Sequence, residues 1–249
     1  MQYKQACFNR VMSLAVISSF TGLFLSIDLE KSYSAMAASG NSLAAGQHTR
    51  STVATAIISP ILAELDAVSA RAEDIYALAK TNKWKNIGDK LELLKKSKQA
   101  LIIILHEEST MLLPRLRKTI FDLEQAIACQ NRIDTMRYSN RITLITTTMA
   151  GPLKPEVPNE VALLDYYGRK LEILSEGKDL EKISKIVVIM HLAWQNLVPK
   201  LIEKGKARDV RIFSEIMRRL EMAKSPEEYS HLAKQVLVEV DIIEDDFRN

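Results

Sequence analysis

The apolar residues of this chain recur about 96 positions later, in order, through four consecutive helix-spaced segments. Leu65, Val68, Ile75 and Leu78 correspond to Val161, Leu164, Leu171 and Leu174. Trp84, Ile87, Leu91, Leu94 and Leu101 correspond to Leu180, Ile183, Val187, Met190 and Leu197. Leu116 and Ile120 meet Ile212 and Ile216, and Ile133, Met136, Leu144 and Thr147 meet Tyr229, Leu232, Val240 and Ile243. Two amphipathic helices can always be slid into phase. Four at one offset, with the turns also in register, point to a duplicated four-helix unit.

Within each half the apolar positions step by three and four, which places them on one stripe of a helix. In the first half Ile61, Leu65, Val68, Ala72, Ile75 and Ala79 form one stripe, and a turn at Thr81-Asn82 follows. A second stripe runs from Trp84 through Ile87, Leu91, Leu94 and Leu101 to Leu105, with Lys98 falling on it. Ser109 and Thr110 offer caps to a third helix carrying Leu116, Ile120, Leu123 and Ile127. A polar run, Gln130-Asn131-Arg132, marks a turn before a threonine-rich fourth helix that ends at Gly151. Gly151 is read as a left-handed cap. Residues 151–158 read GPLKPEVP, and three prolines in eight positions oppose a regular helix.

The second half repeats the plan, with Gly177 and Gly205 near helix ends and Pro199 bending or ending its helix. Ser225-Pro226-Glu227-Glu228 has the spacing of a capping box. Helices of this length joined by short turns must run antiparallel to their neighbours. The expected fold is all-α: an up-down antiparallel helical bundle of two tandem, duplicated four-helix units packed together. The units are residues 52–150 and 159–249, with the Pro-rich linker 151–158 between them.

The first residues read as a targeting segment. Lys4 and Arg10 are basic, Val11 to Ile27 is apolar and uncharged, and Ala35-Met36-Ala37 has small residues at both recognition positions of a signal peptidase. A signal peptide over 1–37, cleaved after Ala37, implies a periplasmic or secreted protein. The apolar run is shorter than the roughly 20 residues of a membrane-spanning helix, so no integral span is expected after cleavage. Residues 38–51 are rich in Ser, Ala, Gly and Asn and read as a disordered tail. The leader holds Lys4, Arg10, Lys31, Asp28 and Glu30, which leaves 31 of the 34 basic and 29 of the 31 acidic residues. That near-neutral balance argues against a nucleic-acid partner. Cys129 is the one cysteine after cleavage, so no internal disulfide is expected.

No motif carries recognisable chemistry. His48, His106, His191 and His231 lie in separate segments, and none pairs with another at i, i+4. His106-Glu107-Glu108 begins like a zinc-protease helix, but Thr110 stands where the second histidine belongs. Covalent haem attachment needs C-x-x-C-H, which is absent; a non-covalent haem site would need His191 or His231 with a methionine such as Met111 or Met136. Di-iron bundles use Glu-x-x-His, also absent. No metal, cofactor or catalytic residue is assigned.

What remains are charged faces. Lys83, Lys85, Lys90, Lys95, Lys96 and Lys98 crowd the second helix, and Arg208, Arg211, Arg218 and Arg219 the penultimate one. Glu239, Asp241, Glu244, Asp245 and Asp246 cluster at the C-terminal end, where acids oppose the helix dipole and a solvated, frayed end is the ordinary outcome. Candidate docking surfaces are Lys83, Lys90 and Lys95; Arg208, Arg211 and Arg218; and Asp241 and Asp245. The expected function is that of a non-enzymatic helical binding, scaffold or accessory protein of the cell envelope, whose partner is another protein or an envelope component. A bundle-type metal or haem carrier is the alternative, and an enzyme with an unrecognised site is the second alternative.

Overall fold

Apolar stripes at helical spacing become helices throughout. The computed structural model describes residues 47–105 and 111–248, with side-chain surroundings from residue 58 onward. Among the described residues there are eight α-helices and no strand. They are α1 (Gln47–Lys80), α2 (Ile87–Leu105), α3 (Leu112–Ala128), α4 (Arg132–Ala150), α5 (Asn159–Glu176), α6 (Leu180–Glu203), α7 (Ala207–Met222) and α8 (Pro226–Arg248). Short 3-10 turns lie at Trp84–Asn86 and Gly151–Leu153. The segment read as a signal peptide, most of the segment read as a tail, and His106, Ser109 and Thr110 lie outside the described residues. Residues 47–51, read as the end of the tail, belong to α1. Pro60 therefore stands well inside that helix rather than near its start.

The turns follow from a few residues that accept left-handed backbone. Asn82, Gln130, Lys178 and Gly205 have φ of 55°, 49°, 54° and 74°. After each, the next residue's N–H reaches back to a carbonyl of the last helical turn: Lys83 to Leu78, Asn131 to Ala126, Asp179 to Leu174 and Lys206 to Leu201. This closes the helix ends on themselves. Gly151 corrects the sequence reading. It is right-handed (φ −49°), and the left-handed residue is Lys154, three positions on. The reason is Pro152, which seats itself in the first turn of a 3-10 segment and carries the chain past the glycine before it reverses. Pro199 neither bends the chain out of α6 nor ends it there, since the helix runs on to Glu203. Trp84 sits in the 3-10 turn ahead of α2 and packs half-buried on the core.

Caps fix the starts. Asn131 Oδ1 accepts the Asp134 N–H at 3.1 Å, so α4 is a separate helix and not a continuation of α3. At α8 the Ser225 Oγ accepts the Glu228 N–H, while the Glu228 carboxylate accepts the Lys224 and Ser225 N–H groups. The end of α8 is anchored, not frayed. Lys204 Nζ donates to the carbonyls of Asp246 and Phe247, Lys206 pairs with Asp246, and Phe247 is buried. Two cations from the α6–α7 turn thus neutralise the negative end of the helix. Cys129, the C-cap of α3, is disulfide-bonded and not a free thiol. This corrects the expectation of no disulfide, which took Cys7 to be lost with the leader.

Residues from Ile57 onward form one unit. Within it the buried apolar side chains gather into two clusters. One draws on α1 to α4 and adds Ile173 of α5; the other draws on α5 to α8, with Leu144 of α4 packed against it. Sequence neighbours run antiparallel, as ion pairs show: Asp74–Lys90, Lys95–Glu124 and Glu160–Lys200. Helix α5 is the hub, packing on α4, α6 and α8. Gly168 permits the α8 contact, because a Cβ there would come within 2.9 Å of Leu237 Cδ2.

Where α5 meets the first half, the contact is polar. Tyr76 of α1 is 4 % exposed and donates its hydroxyl to Glu172 Oε2 at 2.9 Å. Lys80 Nζ reaches both oxygens of that carboxylate, at 2.6 and 2.9 Å. Arg132 of α4 pairs with Glu176. Asn140 Nδ2 donates to the Tyr166 carbonyl at 2.9 Å. The threonines of α4 are buried yet satisfied. Thr135, Thr143, Thr146 and Thr147 donate to carbonyls three or four residues back. Removing a partner from a buried carboxylate leaves an uncompensated group. Tyr76→Phe is therefore expected to lower unfolding free energy by roughly 1–3 kcal/mol, read by urea denaturation. A change within error would show that Glu172 does not depend on this donor.

Candidate functional site

Two places collect ionisable side chains away from bulk water. The first is an extension of the α1–α5 seam. Arg169 lies between Asp165 (2.8 Å) and Glu73 (3.4 Å), with its side chain 13 % exposed and its guanidinium over the Tyr76 ring. One cation faces two carboxylates, with Asp241 and Glu244 of α8 also close enough to act on Asp165. Burial is the largest influence on Asp165; Arg169 opposes it, and the other acids add to it, so its pKa rises to about 7. Burial likewise raises the Tyr76 phenol far above its usual range, and Glu172 adds to the shift. Its ion pairs join α1 and α5, while Nη1 of Arg169 is buried with no hydrogen-bond partner.

The second is a groove of about 740 Å³ between α7 and α8, on the outer side of the second half. These helices are joined by three residues, so they lie antiparallel and side by side. Ile212, Ile216 and Val238 line its floor and Arg211, Glu215, Arg219, His231, Lys234 and Gln235 its rim. Ile216 is buried, whereas Val238 is 61 % exposed. Arg219 Nη1 donates to Gln235 Oε1 at 2.9 Å, tying the helices together at one end. Glu239, 6 % exposed, also lines the groove, and its Oε1 has no hydrogen-bond partner. Burial raises its pKa, and Asp209 and Asp246 raise it further against the opposing pull of Arg208.

Several sequence-predicted docking residues are engaged within the fold. Lys90 pairs with Asp74, and Lys95 bridges Glu92 and Glu124 across α2 and α3. Arg218 pairs with Glu215 one turn back and reaches Met222 Sδ. Lys83 is exposed in the α1–α2 turn, and Arg208 is exposed at the start of α7. Arg211 joins the groove rim, while Asp241 and Asp245 are exposed on α8. The structure thus brings Arg211 to the α7–α8 groove, leaves Asp241 and Asp245 outside its lining, with Asp241 near the Asp165–Arg169 pair of α5, and leaves Lys83, Lys90 and Lys95 on another part of the molecule.

The sequence reading missed Lys234 and Val238, and it placed Glu239, which is buried, in a solvated acidic cluster. Val238 was detectable, because an apolar residue between Val236 and Val240 falls off the buried stripe. Glu239 was not, since its burial depends on how α7 is placed. His191 Nδ1 lies 2.7 Å from Glu221, and His231 contacts Gln235. No group of three or more His, Cys, Asp or Glu among the described residues is arranged to hold a metal ion. No helix among the described residues is long and apolar enough to cross a membrane. Comparison with known proteins finds no matching family model, no matching curated protein and no matching solved structure.

The raised pKa of Asp165 has a measurable consequence. The folded state keeps a proton that the unfolded chain loses near its ordinary carboxylate value, so this residue's contribution falls as pH rises from about 4 to about 7. Asp165→Asn is expected to flatten the decline of Tm over that window and to raise Tm at its upper end. An unchanged Tm-versus-pH slope would count against a buried, proton-retaining Asp165.

Proposed function

We propose that this chain is an exported, non-enzymatic helical-bundle protein that acts by docking, as a binding, scaffold or accessory component of the cell envelope. The observation that carries the reading is the α7–α8 face. It combines an open groove with an apolar floor, a strongly exposed valine and a charged rim, while the ion pairs of Arg169 lie buried between helices. An open apolar floor with convergent charges fits the capture of another surface.

The reading includes the duplication. In α1 and α2, buried Leu65, Val68, Ile75 and Leu94 have buried counterparts 96 positions on: Val161, Leu164, Leu171 and Met190. In α3 and α4 the burial pattern fits an offset of 97: Leu116, Ile120, Leu123 and Met136 against Phe213, Met217, Leu220 and Ala233. The left-handed turn residues Asn82 and Lys178 are also 96 apart. The one-residue step falls after α2, within a connection, where insertions are tolerated. The counterpart of Glu239 in the first half is then the fully buried Ile142. The two seams have diverged, and the open, charged one belongs to the second half.

Export rests on Lys4, Arg10, the apolar run to Ile27 and the Ala35-Met36-Ala37 site. Protein recovered from the envelope fraction is expected to begin at Ala38 by intact mass. An intact leader would sink the export reading. For docking, a photo-crosslinking residue at position 238 is expected to give a discrete adduct in cells, and one at exposed Lys185 on α6 none. Absence of any adduct at 238 would remove the basis for a docking face.

A further inference from the structure

The inference rests on the docking reading above: the exposed side of α8 next to that groove carries opposite charges at its two ends, and this selects the occupant. Lys234, Val238, Asp241, Ile242 and Asp245 are all exposed on α8. At 100° per residue they share a stripe about 100° wide. Lys234 stands at one end of the stripe, beside Arg219 and His231 on the groove rim. Asp241 and Asp245 stand at the other end, about 10 Å and about 16 Å further along the helix. Between them Val238 is 61 % and Ile242 46 % exposed.

We propose that a second copy of this chain covers the α7–α8 face, its α8 lying antiparallel to the first across a twofold axis near Val238. Such a contact is isologous, so each residue's complement must lie on the same patch. Reversal of α8 about Val238 sets Lys234 of one copy beside Asp241 and Asp245 of the other, on the same side of the helix pair, and does so twice. The two Val238 side chains meet near the axis, and each Ile242 lies toward the apolar floor formed by Ile212 and Ile216 of the opposite copy. An acidic partner would satisfy the Lys234 end and repel the aspartates. A basic partner, or a surface of one charge sign, would do the reverse. Only a partner with the same end-to-end polarity, turned around, satisfies both. Asp241 has a further reason to accept a cation: burial, then Glu244, disfavours its ionisation, and Asp245 adds to this against the opposing pull of Arg169.

Sedimentation velocity on the full protein tests this. The wild type is expected to dimerise in a concentration-dependent way, more strongly at low salt. Val238→Glu is expected to weaken association by at least roughly tenfold, which is about 1.4 kcal/mol. Lys234→Glu and the double variant Asp241→Lys/Asp245→Lys are each expected to associate poorly. When mixed they are expected to form a heterodimer. The carboxylate introduced at position 234 of one variant then meets the lysines introduced in the other, while the other's unchanged Lys234 still meets aspartates. The triple variant that combines all three changes is expected to recover self-association, and it serves the same purpose should either parent fold poorly by circular dichroism. A wild type monomeric up to its solubility limit overturns the proposal. So does dimerisation unaffected by Val238→Glu, or failure of both the mixture and the triple variant to associate better than the weakened variants. A crosslink from position 238 to a different protein would also overturn it, while leaving the docking reading in place.

Discussion

A carboxylate buried between α1 and α5, Glu172, organises how the rest of the molecule comes together. It lies on the hub helix α5 and takes the Tyr76 hydroxyl and the Lys80 ammonium from α1. Apolar packing alone would let one greasy helix slide over another by a turn with little change in buried area. A charge that must find its donors allows one register. The same logic holds nearby, where the buried Asn140 donates to the Tyr166 carbonyl. The stabilisation from any one of these is modest once desolvation is counted. Their effect is to make alternative alignments of α1, α4 and α5 unfavourable, since each would strand a buried polar group.

This polar seam lies between two apolar clusters, one drawn from α1 to α4 with Ile173 of α5 and the other from α5 to α8. The two kinds of contact divide the work. Close-packed leucine, isoleucine and valine side chains supply the drive to fold, through the area they remove from water. The seam then decides how one set of helices sits on the other. Helix α4 shows how far this goes. Ten of its residues are buried, and six of those are Thr, Ser or Asn. Its threonines return their hydroxyl hydrogens to their own helix, which lets a polar sequence sit inside the protein at little desolvation cost.

Much of the architecture was legible in the sequence for a local reason. Helical spacing, antiparallel neighbours, the cap at Ser225 and the turn after Ala128 depend on residues within a few positions of one another. Where local reading failed, a proline or a distant cation had intervened. Gly151 was read as left-handed, but Pro152 holds the chain right-handed and shifts the reversal to Lys154. The acidic end of α8 was read as solvated, but Lys204 and Lys206 come from the α6–α7 turn to close it. The charged faces were only partly readable. Lys90, Lys95 and Arg218 look free along the chain and are paired in space, whereas Arg211 lies on the groove rim.

By itself, then, the sequence determined that the described chain is helical, where most helices begin and end, and which stripe of each is buried. Periodicity and turn chemistry are local, and these properties need nothing else. Only the tertiary structure decided that Tyr76 meets Glu172, that Glu239 is buried with an unpaired oxygen, and that a groove opens between α7 and α8. Each depends on residues from different helices arriving at one place. That arrival is set by shape and by the pairing of buried charge, and neither is written in the spacing of any single segment.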